Sequence, residues 1–175
     1  TGVQTCALPI YPIELSRGDV DKGFAEADEI VEVSFNIKPV KQMQMETHGA
    51  VAQVEDDRVT VWCTTQNIQV TRGILAHIFQ IPVSRLQVKN PPYVGGGFGI
   101  RIGLSGKAEA IALALALAAK KPVKYIYSRH EDLTASDTRH GGYLSVRLGG
   151  KKDGTLTALD LKCVLNKGAY TSHGA

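Results

Sequence analysis

The chain has 175 residues, of which 43% are hydrophobic and 21% are charged, and its formal net charge is +3. This composition is typical of one globular domain or a piece of one. The positive charge is too small to favour nucleic acid as a partner, and no apolar run reaches the roughly 18 residues of a membrane span. The three cysteines show no disulfide or metal-ligand spacing, which favours a cytoplasmic protein.

Residues 1–10 resemble the in-frame translation of a common sequencing adapter, so they are left out of the fold prediction. A natural N-terminal strand is the alternative. The chain has no initiator methionine and stops at Ala175 without an obvious end. We therefore expect an internal fragment of a longer protein, whose native part is residues 11–175.

The first predicted elements are a short helical segment and three strands. Residues 18–28 are polar and predict one or two helical turns. Residues 29–37 alternate between apolar and polar side chains, which predicts a strand. Residues 49–54 and 59–65 are extended runs separated by Asp56-Asp57, and this pattern predicts a hairpin.

Helical spacing then replaces the alternation. Residues 67–80 predict a helix with Asn67 as its N-cap and Pro82 just beyond its end. A strand follows at 85–90, and a second helix is predicted at 106–120. Alanine favours a helix over a strand there, and apolar residues on nearly all sides predict that this helix is buried.

Further strands are predicted at 123–128, 143–148 and 156–164, the last two joined as a hairpin by a turn containing glycine. The predicted fold class is α+β (mixed α/β), with βαβ units in a part-parallel sheet and additional antiparallel hairpins. The strands at 59–65, 85–90 and 123–128 are expected to be parallel neighbours, because consecutive βαβ units pair in this way.

Four glycines in five residues stand out: Gly95, Gly96, Gly97 and Gly99, with Phe98 among them. Glycine inside an element costs roughly 0.5–1 kcal/mol relative to alanine, so such a run needs a reason. Special backbone angles or a close approach would supply one. The pattern predicts a surface whose backbone N–H groups hold a flat or anionic ligand, and a merely flexible loop is the alternative.

The glycine run and the segment Thr64–Asn67 each follow a predicted strand. Ligands of parallel sheets bind beyond the carboxyl ends of the strands, so the two segments predict one polar pocket. A dinucleotide fingerprint is absent, because Ile100 stands where Gly or Ala is required. A phosphate loop is absent too, because Gly106-Lys107 is followed by Ala108.

Several motifs in this order resemble the molybdopterin-binding (large) subunit of the xanthine dehydrogenase/aldehyde oxidase family. The resemblance extends from Gly18 to Ala175. The motifs that carry it are Met45–Ala50, Trp62–Asn67, Val94–Gly99, Lys121–Lys124, Arg129–Leu133 and Gly168–Tyr170.

The resemblance implies a molybdenum–molybdopterin cofactor in its cytosine dinucleotide form. It implies that Gln66 hydrogen-bonds an oxo ligand of the metal and that Phe98 lies near the metal. Gly96, Gly97 and Gly99 are implied to line the cofactor together with these two residues.

The same resemblance implies oxidative hydroxylation of an aldehyde or (hetero)aromatic substrate, with electrons passed to Fe–S and FAD partners in an oligomer. The family's general base is a glutamate that would lie beyond Ala175, so the fragment alone is expected to be inactive. Ile102 stands where xanthine-oxidising members carry a glutamate, which argues for an apolar substrate wall and against purines. The alternative is a non-catalytic nucleotide-binding or assembly module with a βαβ core.

Three other polar features favour structural roles. Glu46 and His48 are expected to form a structural hydrogen bond rather than a functional pair. The charged run at 129–132 predicts a solvated turn or helix cap. Arg101 can face an anionic cofactor group, but a surface arginine is the favoured interpretation.

Overall fold

The computed structural model describes residues 13–104 and 107–166. The chain divides into two compact units. The first consists of the described part of Thr1–Asn36 together with Tyr143–Val164, and the second of Ile37–Gly142 with the described part of Leu165–Ala175. The stretch 1–10 and the motif Gly168–Tyr170 lie outside the described residues.

The described helices and strands confirm the mixed α/β class. In chain order they are α1 (Val20–Ala25), β1 (Glu29–Ile37), β2 (Gly49–Val54), β3 (Val59–Cys63), α2 (Ile68–Phe79), β4 (Leu86–Lys89), α3 (Ala108–Ala119), β5 (Val123–Ile126), α4 (Arg129–Ala135), β6 (Gly141–Gly150) and β7 (Leu156–Asn166), with a 3₁₀ turn at Val83–Arg85. Each predicted helix and strand is present, and α4 is an additional element.

The first unit contains a three-stranded sheet in the order β1-β6-β7. Its helix α1 begins where the Asp19 carboxylate accepts a hydrogen bond from the Lys22 N–H at 3.0 Å. β6 and β7 form the predicted hairpin, and its turn contains Gly154 at φ +90°. Every residue of β1 is exposed, including Phe35, so this unit alone leaves the apolar side chains of that strand uncovered.

The second unit contains a four-stranded sheet in the order β4-β3-β2-β5. β2 and β3 form the predicted antiparallel hairpin, with Val51 opposite Trp62. α2 connects β3 to β4, and these two strands pair in parallel, with Val61 opposite Val88. One βαβ unit therefore places the carboxyl ends of β3 and β4 side by side.

Helix α2 has the predicted N-cap. The Asn67 side chain accepts a hydrogen bond from the Val70 N–H at 3.1 Å. The apolar residues at helical spacing are only partly buried, because Leu75 is covered whereas Val70 and Ile78 are exposed. Thr71 is buried in their place. The helix packs against β4, so the sheet covers one narrow side of it.

The predicted position of β5 is wrong. This strand lies beside β2 at the far edge of the sheet, antiparallel to it, with Tyr125 opposite Ala50. β2 and β4 already occupy the two sides of β3, and α3 packs across β2 and β5. β5 therefore extends the open edge of β2 and runs parallel to β3 and β4 without being the neighbour of either.

Helix α3 is less buried than predicted. Ala112 and Leu113 are fully buried, but Leu115 and Leu117 are 45% and 37% exposed. A single sheet covers one side of the helix, and no second layer from the described part of this unit covers the other side. The predicted start at residue 106 lies outside the described residues. In the ranges 13–104 and 107–166, no helix has the length and apolar character needed to cross a bilayer.

The core of the second unit lies between its sheet and the helices α2 and α3. Its bulkiest fully buried apolar side chains are Leu75, Leu86 and Leu113. Cys63 is also in this core. Burial raises the pKa of its thiol to about 12, with a further contribution from the Glu109 carboxylate. Cys63 is therefore a protonated packing residue and has no reactive thiolate.

Candidate functional site

Two polar segments meet where β3 and β4 end. The segment Thr64–Asn67 follows β3, and the glycine loop, Gly95–Gly99, follows β4. The backbone N–H of Gln66 donates to the carbonyl oxygen of Arg101 at 2.8 Å. The structure therefore brings together the two segments that the sequence assigned to one pocket, and it joins them through the main chain.

The side chain of Gln66 is held by the glycine loop and by the residues just after it. Its Oε1 accepts hydrogen bonds from the backbone N–H of Gly99 at 3.0 Å and of Arg101 at 3.2 Å. Because two donors face this atom, the orientation of the amide is determined. The Nε2 group has no hydrogen-bond partner among the described residues, and the residue is exposed. The orientation of the amide is thus fixed through Oε1, and the two N–H bonds of Nε2 are available to a ligand.

Two glycines of the loop are required by close neighbours. A Cβ added at Gly97 would lie 2.5 Å from Cδ of Gln66. A Cβ added at Gly95 would lie 2.4 Å from Cβ of Glu46. Both distances are far below van der Waals contact. The missing side chains therefore leave a cradle in which Gln66 and Glu46 pack directly on the loop backbone.

The loop backbone takes conformations that favour glycine. The φ angles of Gly96 and Gly99 are +97° and +86°, and Phe98 has φ +49° although it is not glycine. The Ile100 N–H donates to the Gly97 carbonyl at 2.9 Å and closes the turn. Among the described residues, the N–H groups of Gly96, Gly97 and Phe98 have no acceptor. Three consecutive N–H groups are available to an anionic or oxo ligand.

Two hydrophobic side chains border this polar surface. Phe98 is 70% exposed and offers a flat apolar face within the loop itself. Ile102, which follows the loop, is 38% exposed. Neither side chain can donate or accept a hydrogen bond, so a ligand that reaches them contacts apolar groups.

Arg101 is buried, so the favoured prediction of a surface arginine is wrong. The residue is 2% exposed. Its Nη1 donates to Oε2 of Glu46 at 2.9 Å and also to the Thr64 hydroxyl. Its Nη2 donates to the backbone carbonyls of Glu46 and, at 3.2 Å, of Thr47. The guanidinium thus joins the end of β3 to the segment that precedes β2.

The predicted hydrogen bond between Glu46 and His48 is absent, and each residue has a different partner. Oε2 of Glu46 accepts hydrogen bonds from the Gly95 N–H at 2.8 Å and from Arg101 at 2.9 Å. The chain bends at Met45 and Glu46 before β2 begins, and His48 instead contacts Asp132. Each of the two residues nevertheless makes hydrogen bonds to other segments of the fold.

His48 belongs to a buried polar network around Asp132. His48 Nδ1 lies 2.5 Å from Oδ1 of Asp132, and the His48 backbone N–H donates to the same oxygen at 2.9 Å. Gln44 and Arg129 donate to the other carboxylate oxygen at 3.0 and 3.3 Å. Burial by itself would raise the pKa of Asp132, but these hydrogen bonds and the nearby charges lower it below its ordinary value.

The charged run at 129–132 therefore has two functions in the fold. Ser128 and Glu131 form a capping box, in which the Glu131 N–H donates to the Ser128 hydroxyl at 3.2 Å and Glu131 accepts from the Ser128 N–H at 2.7 Å. The predicted helix cap is confirmed. The solvated position is wrong for Asp132, which is 2% exposed and anchors α4 to the segment around His48.

Glu109 is a second buried carboxylate, in the first turn of α3. Its Oε2 has no hydrogen-bond partner among the described residues. Burial raises the pKa of this carboxyl, although its own backbone N–H, His48 and Arg101 oppose the shift. In the part of the chain that the structure describes, no group of three or more His, Cys, Asp or Glu residues is arranged to hold a metal ion.

The contacts of Arg101 and Asp132 were not predicted from the sequence. The available signal was their position, since Arg101 lies two residues after the glycine loop and Asp132 lies in one of the motifs that carry the resemblance. Glu46 also lies in such a motif. Opposite charges in or near these motifs are candidates for partners, but the sequence alone does not pair them.

Comparisons with known proteins identify the family of this chain. Residues 6–175 match the family described as molybdopterin cofactor-binding domain. The match begins inside the stretch 1–10, so the adapter interpretation of that stretch stays a prediction. Xanthine dehydrogenase from Drosophila pseudoobscura pseudoobscura is 33% identical over 165 residues, which are 92% of this chain and 12% of that protein.

A bacterial relative and two solved structures show the same similarity. The nicotinate dehydrogenase large molybdopterin subunit of Eubacterium barkeri is 33% identical over 161 residues, covering 91% of this chain and 37% of that protein. Quinoline 2-oxidoreductase from Pseudomonas putida 86 superimposes with a TM-score of 0.73 at 29% identity, covering 89% of this chain and 20% of that one. For the aldehyde oxidoreductase from Desulfovibrio gigas the TM-score is 0.78 at 25% identity, covering 90% and 17%.

The chain thus spans less than half the length of each of these relatives. Within that span, the fold matches the one expected from the resemblance. The chain belongs to the molybdopterin cofactor-binding domain family.

Proposed function

We propose that this chain is part of the catalytic subunit of a molybdenum hydroxylase that oxidatively hydroxylates an aldehyde or (hetero)aromatic substrate. Family membership supports the class of enzyme. The names of relatives that act on nicotinate, quinoline or aldehydes support the class of substrate. The observation that carries the proposal is the locked Gln66 amide, which directs free N–H donors outward beside the free N–H groups of the glycine loop.

The residues present fit a molybdopterin cofactor. The missing Cβ at Gly97 lets the Gln66 side chain lie directly on the loop backbone, so one ligand could contact both segments. Nε2 of Gln66 and the N–H groups of Gly96, Gly97 and Phe98 would hold the cofactor. When bound, the cofactor supplies the two-electron oxidation that converts a substrate C–H group into C–OH.

The contribution of this chain is a set of donors whose orientation is fixed in advance. Gln66 cannot rotate its amide without losing the hydrogen bonds from Gly99 and Arg101. Donors that are already aligned stabilise developing negative charge without reorganisation, and this is often the largest catalytic contribution of a site. The proton acceptor is proposed to be a glutamate beyond Ala175, so the fragment alone is proposed to be inactive.

The substrate preference is proposed to depend on Ile102. Its exposed apolar side chain favours an aldehyde or an aromatic ring over a purine, because it cannot hydrogen-bond a polar ring edge. The names of the xanthine dehydrogenase relatives alone are not a reason to propose purine oxidation for this chain.

The remaining expectations complete the proposal. The cofactor is proposed in its cytosine dinucleotide form, and electrons are proposed to pass to Fe–S and FAD groups on partner subunits or segments. Relatives named as subunits support assembly into an oligomer. A cytoplasmic location is proposed as well.

The test uses the full-length protein that contains this chain, co-expressed with its partner subunits and the cofactor maturation proteins. Metal content is measured by plasma mass spectrometry, and released pterin is identified chromatographically. Stoichiometric molybdenum with a pterin cytosine dinucleotide, followed by turnover of aldehydes or heteroaromatics, is the expected result. A folded protein that contains neither molybdenum nor pterin would contradict the proposal and leave the nucleotide-binding module as the alternative.

A further inference from the structure

One carboxylate oxygen holds both ends of the glycine loop. Oε2 of Glu46 accepts the Gly95 N–H at 2.8 Å, where the loop begins. The same oxygen accepts Nη1 of Arg101 at 2.9 Å, just after the loop ends. The intervening backbone is therefore bracketed by a single side chain from another segment.

The bracket is itself anchored to the sheet. Arg101 also donates to the backbone carbonyls of Glu46 and Thr47 and to the Thr64 hydroxyl. Thr64 directly follows β3, and its neighbour Thr65 donates through its hydroxyl to the Arg101 carbonyl at 3.0 Å. The arginine is thus fixed at its side chain and at its backbone.

The loop needs such support because its conformation is costly. Phe98 has φ +49°, and a non-glycine residue persists there only when its surroundings impose it. The N–H groups of Gly96, Gly97 and Phe98 gain no compensating hydrogen bond from the described residues. The turn is closed by the hydrogen bond from the Ile100 N–H to the Gly97 carbonyl, and the further hydrogen bonds that hold the loop come from side chains of other segments.

We infer that Glu46 and Arg101 are positioning residues, which hold the glycine loop in the conformation that presents its N–H groups to the bound cofactor. The identity of that ligand rests on the proposed function. Neither residue needs to contact the cofactor, since both act through the backbone at Gly95 and Arg101 and through Gln66, whose amide is held by the same stretch of chain.

A role in stability alone does not account for this arrangement. The Arg101 side chain is fully buried whereas Glu46 is 39% exposed, and Nε of Arg101 has no hydrogen-bond partner among the described residues. Buried ion pairs seldom stabilise a fold more than apolar residues of similar size. A buried donor without a partner lowers the stability further. The network is better explained by the geometry that it imposes on the loop.

The experiment measures amide hydrogen exchange in the full-length apoprotein at the hydrogen-bonded amides of the loop and its end, which are Gly95, Gly99, Ile100 and Arg101. The variants are Arg101→Met, Glu46→Ala and the conservative Glu46→Gln, which keeps an amide oxygen to accept the Gly95 N–H. Arg85→Met is the matched control, because Arg85 also holds a turn by donating to the carbonyls of Asp56 and Asp57. If Arg101→Met fails to fold, the partly exposed Glu46 still provides the test.

Loop exchange is expected to accelerate roughly tenfold or more in Arg101→Met and Glu46→Ala, because each loses hydrogen bonds to a charged group. Glu46→Gln is expected to slow the amide exchange of the loop part of the way back to the wild-type rate. The exchange rates of β2 and β3 should stay unchanged, and Arg85→Met should leave the exchange rate of the loop at the wild-type value.

Pterin and molybdenum content of the co-expressed protein provides the second measurement. The two disruptive variants should lose cofactor several-fold, and Glu46→Gln should retain more of it than Glu46→Ala.

Unchanged loop exchange in both disruptive variants would overturn the inference. Accelerated exchange with full cofactor content would overturn it too, because positioning would then not matter for binding. A wild-type protein without molybdenum would instead refute the proposed function, and the apoprotein exchange would still decide whether the bracket holds the loop.

Discussion

Two connections that contain glycine, the glycine loop and the turn between β6 and β7, use this residue for different reasons. In the turn, Gly154 has φ +90°, and nothing lies within 4 Å of the position that its Cβ would occupy. In the glycine loop, a Cβ on Gly97 would lie 2.5 Å from Cδ of Gln66. The turn needs glycine for its own backbone angle, whereas the loop needs it also because another segment packs against it.

This difference shows what marks a glycine-containing segment as a binding site. Glycine that serves only a backbone angle can be replaced at a small conformational cost. Glycine that admits a neighbouring side chain cannot be replaced without moving that side chain. At Gly97 the neighbour is Gln66, which carries the free donors of the site, so a substitution there is expected to affect function before stability.

The largest effect is expected for Gln66→Leu, which removes the fixed N–H donors of the site. The glycine loop would then lack the polar neighbour that distinguishes it from the turn between β6 and β7. We expect kcat of the full-length enzyme to fall about 10²- to 10³-fold, as is usual when one donor to developing charge is removed. Steady-state kinetics with an aldehyde substrate measures this. Gln69→Leu, an exposed position on α2, is the control and should leave kcat unchanged. Equal kcat for both variants would remove Gln66 from the site.

The next effect is expected for Gly97→Ala, which adds one methyl group inside the cradle. Because Gln66 must move to admit it, molybdenum and pterin content should fall several-fold. The free energy of unfolding should fall by about 1–3 kcal/mol, the usual cost of overpacking. Metal analysis and urea denaturation measure the two quantities. Full cofactor content in this variant would show that the close approach of loop and Gln66 is dispensable.

A smaller and more selective effect is expected for Ile102→Glu. This substitution changes a residue beside the glycine loop and leaves the loop residues themselves unchanged, so it separates substrate choice from cofactor binding. A carboxylate offers a purine a hydrogen-bond acceptor worth about 1.5–3 kcal/mol. The ratio of kcat/KM for hypoxanthine to that for an aldehyde should therefore rise about tenfold or more. Val83→Glu, which is also exposed but lies in the 3₁₀ turn before β4, is the control. An unchanged ratio would separate Ile102 from substrate choice.

The smallest effect is expected for Gly154→Ala in the turn. Its left-handed φ angle disfavours alanine by about 1–2 kcal/mol, and no neighbour adds to that cost. Urea denaturation should show this loss, and molybdenum content should be unchanged. Gly154→Asn should cost less, because asparagine tolerates that conformation better. Loss of cofactor in either variant would contradict the distinction between the two connections.

The elements of the fold were predictable because they depend on neighbours close in sequence. The alternation of residues 29–37, the cap at Asn67 and the β-branched run of β3 each express a local preference. The adjacency of Gln66 and the glycine loop was predictable for a related reason. The strands β3 and β4 are joined by one helix, so their carboxyl ends had to meet at one edge.

The position of β5 and the exposure of α3 were not predictable in this way. β5 pairs with the open edge of β2. That edge is open because β3 pairs with β2 in the hairpin and with β4 in the βαβ unit, and no local sequence pattern predicts this arrangement. The uncovered side of α3 depends on how many layers pack around it. An apolar sequence shows that a helix can be buried, but only the surrounding layers decide which of its sides are covered.

The sequence by itself determined the secondary structure, the glycine loop, the partnership of that loop with Gln66, and, through the order of its motifs, the family. Only the tertiary structure paired Arg101 with Glu46 and His48 with Asp132, and moved Arg101 from the expected surface into the interior. The physical reason is range. Periodicity and capping act over a few residues, whereas a buried charge is stable only beside a partner that the fold brings from a distant segment.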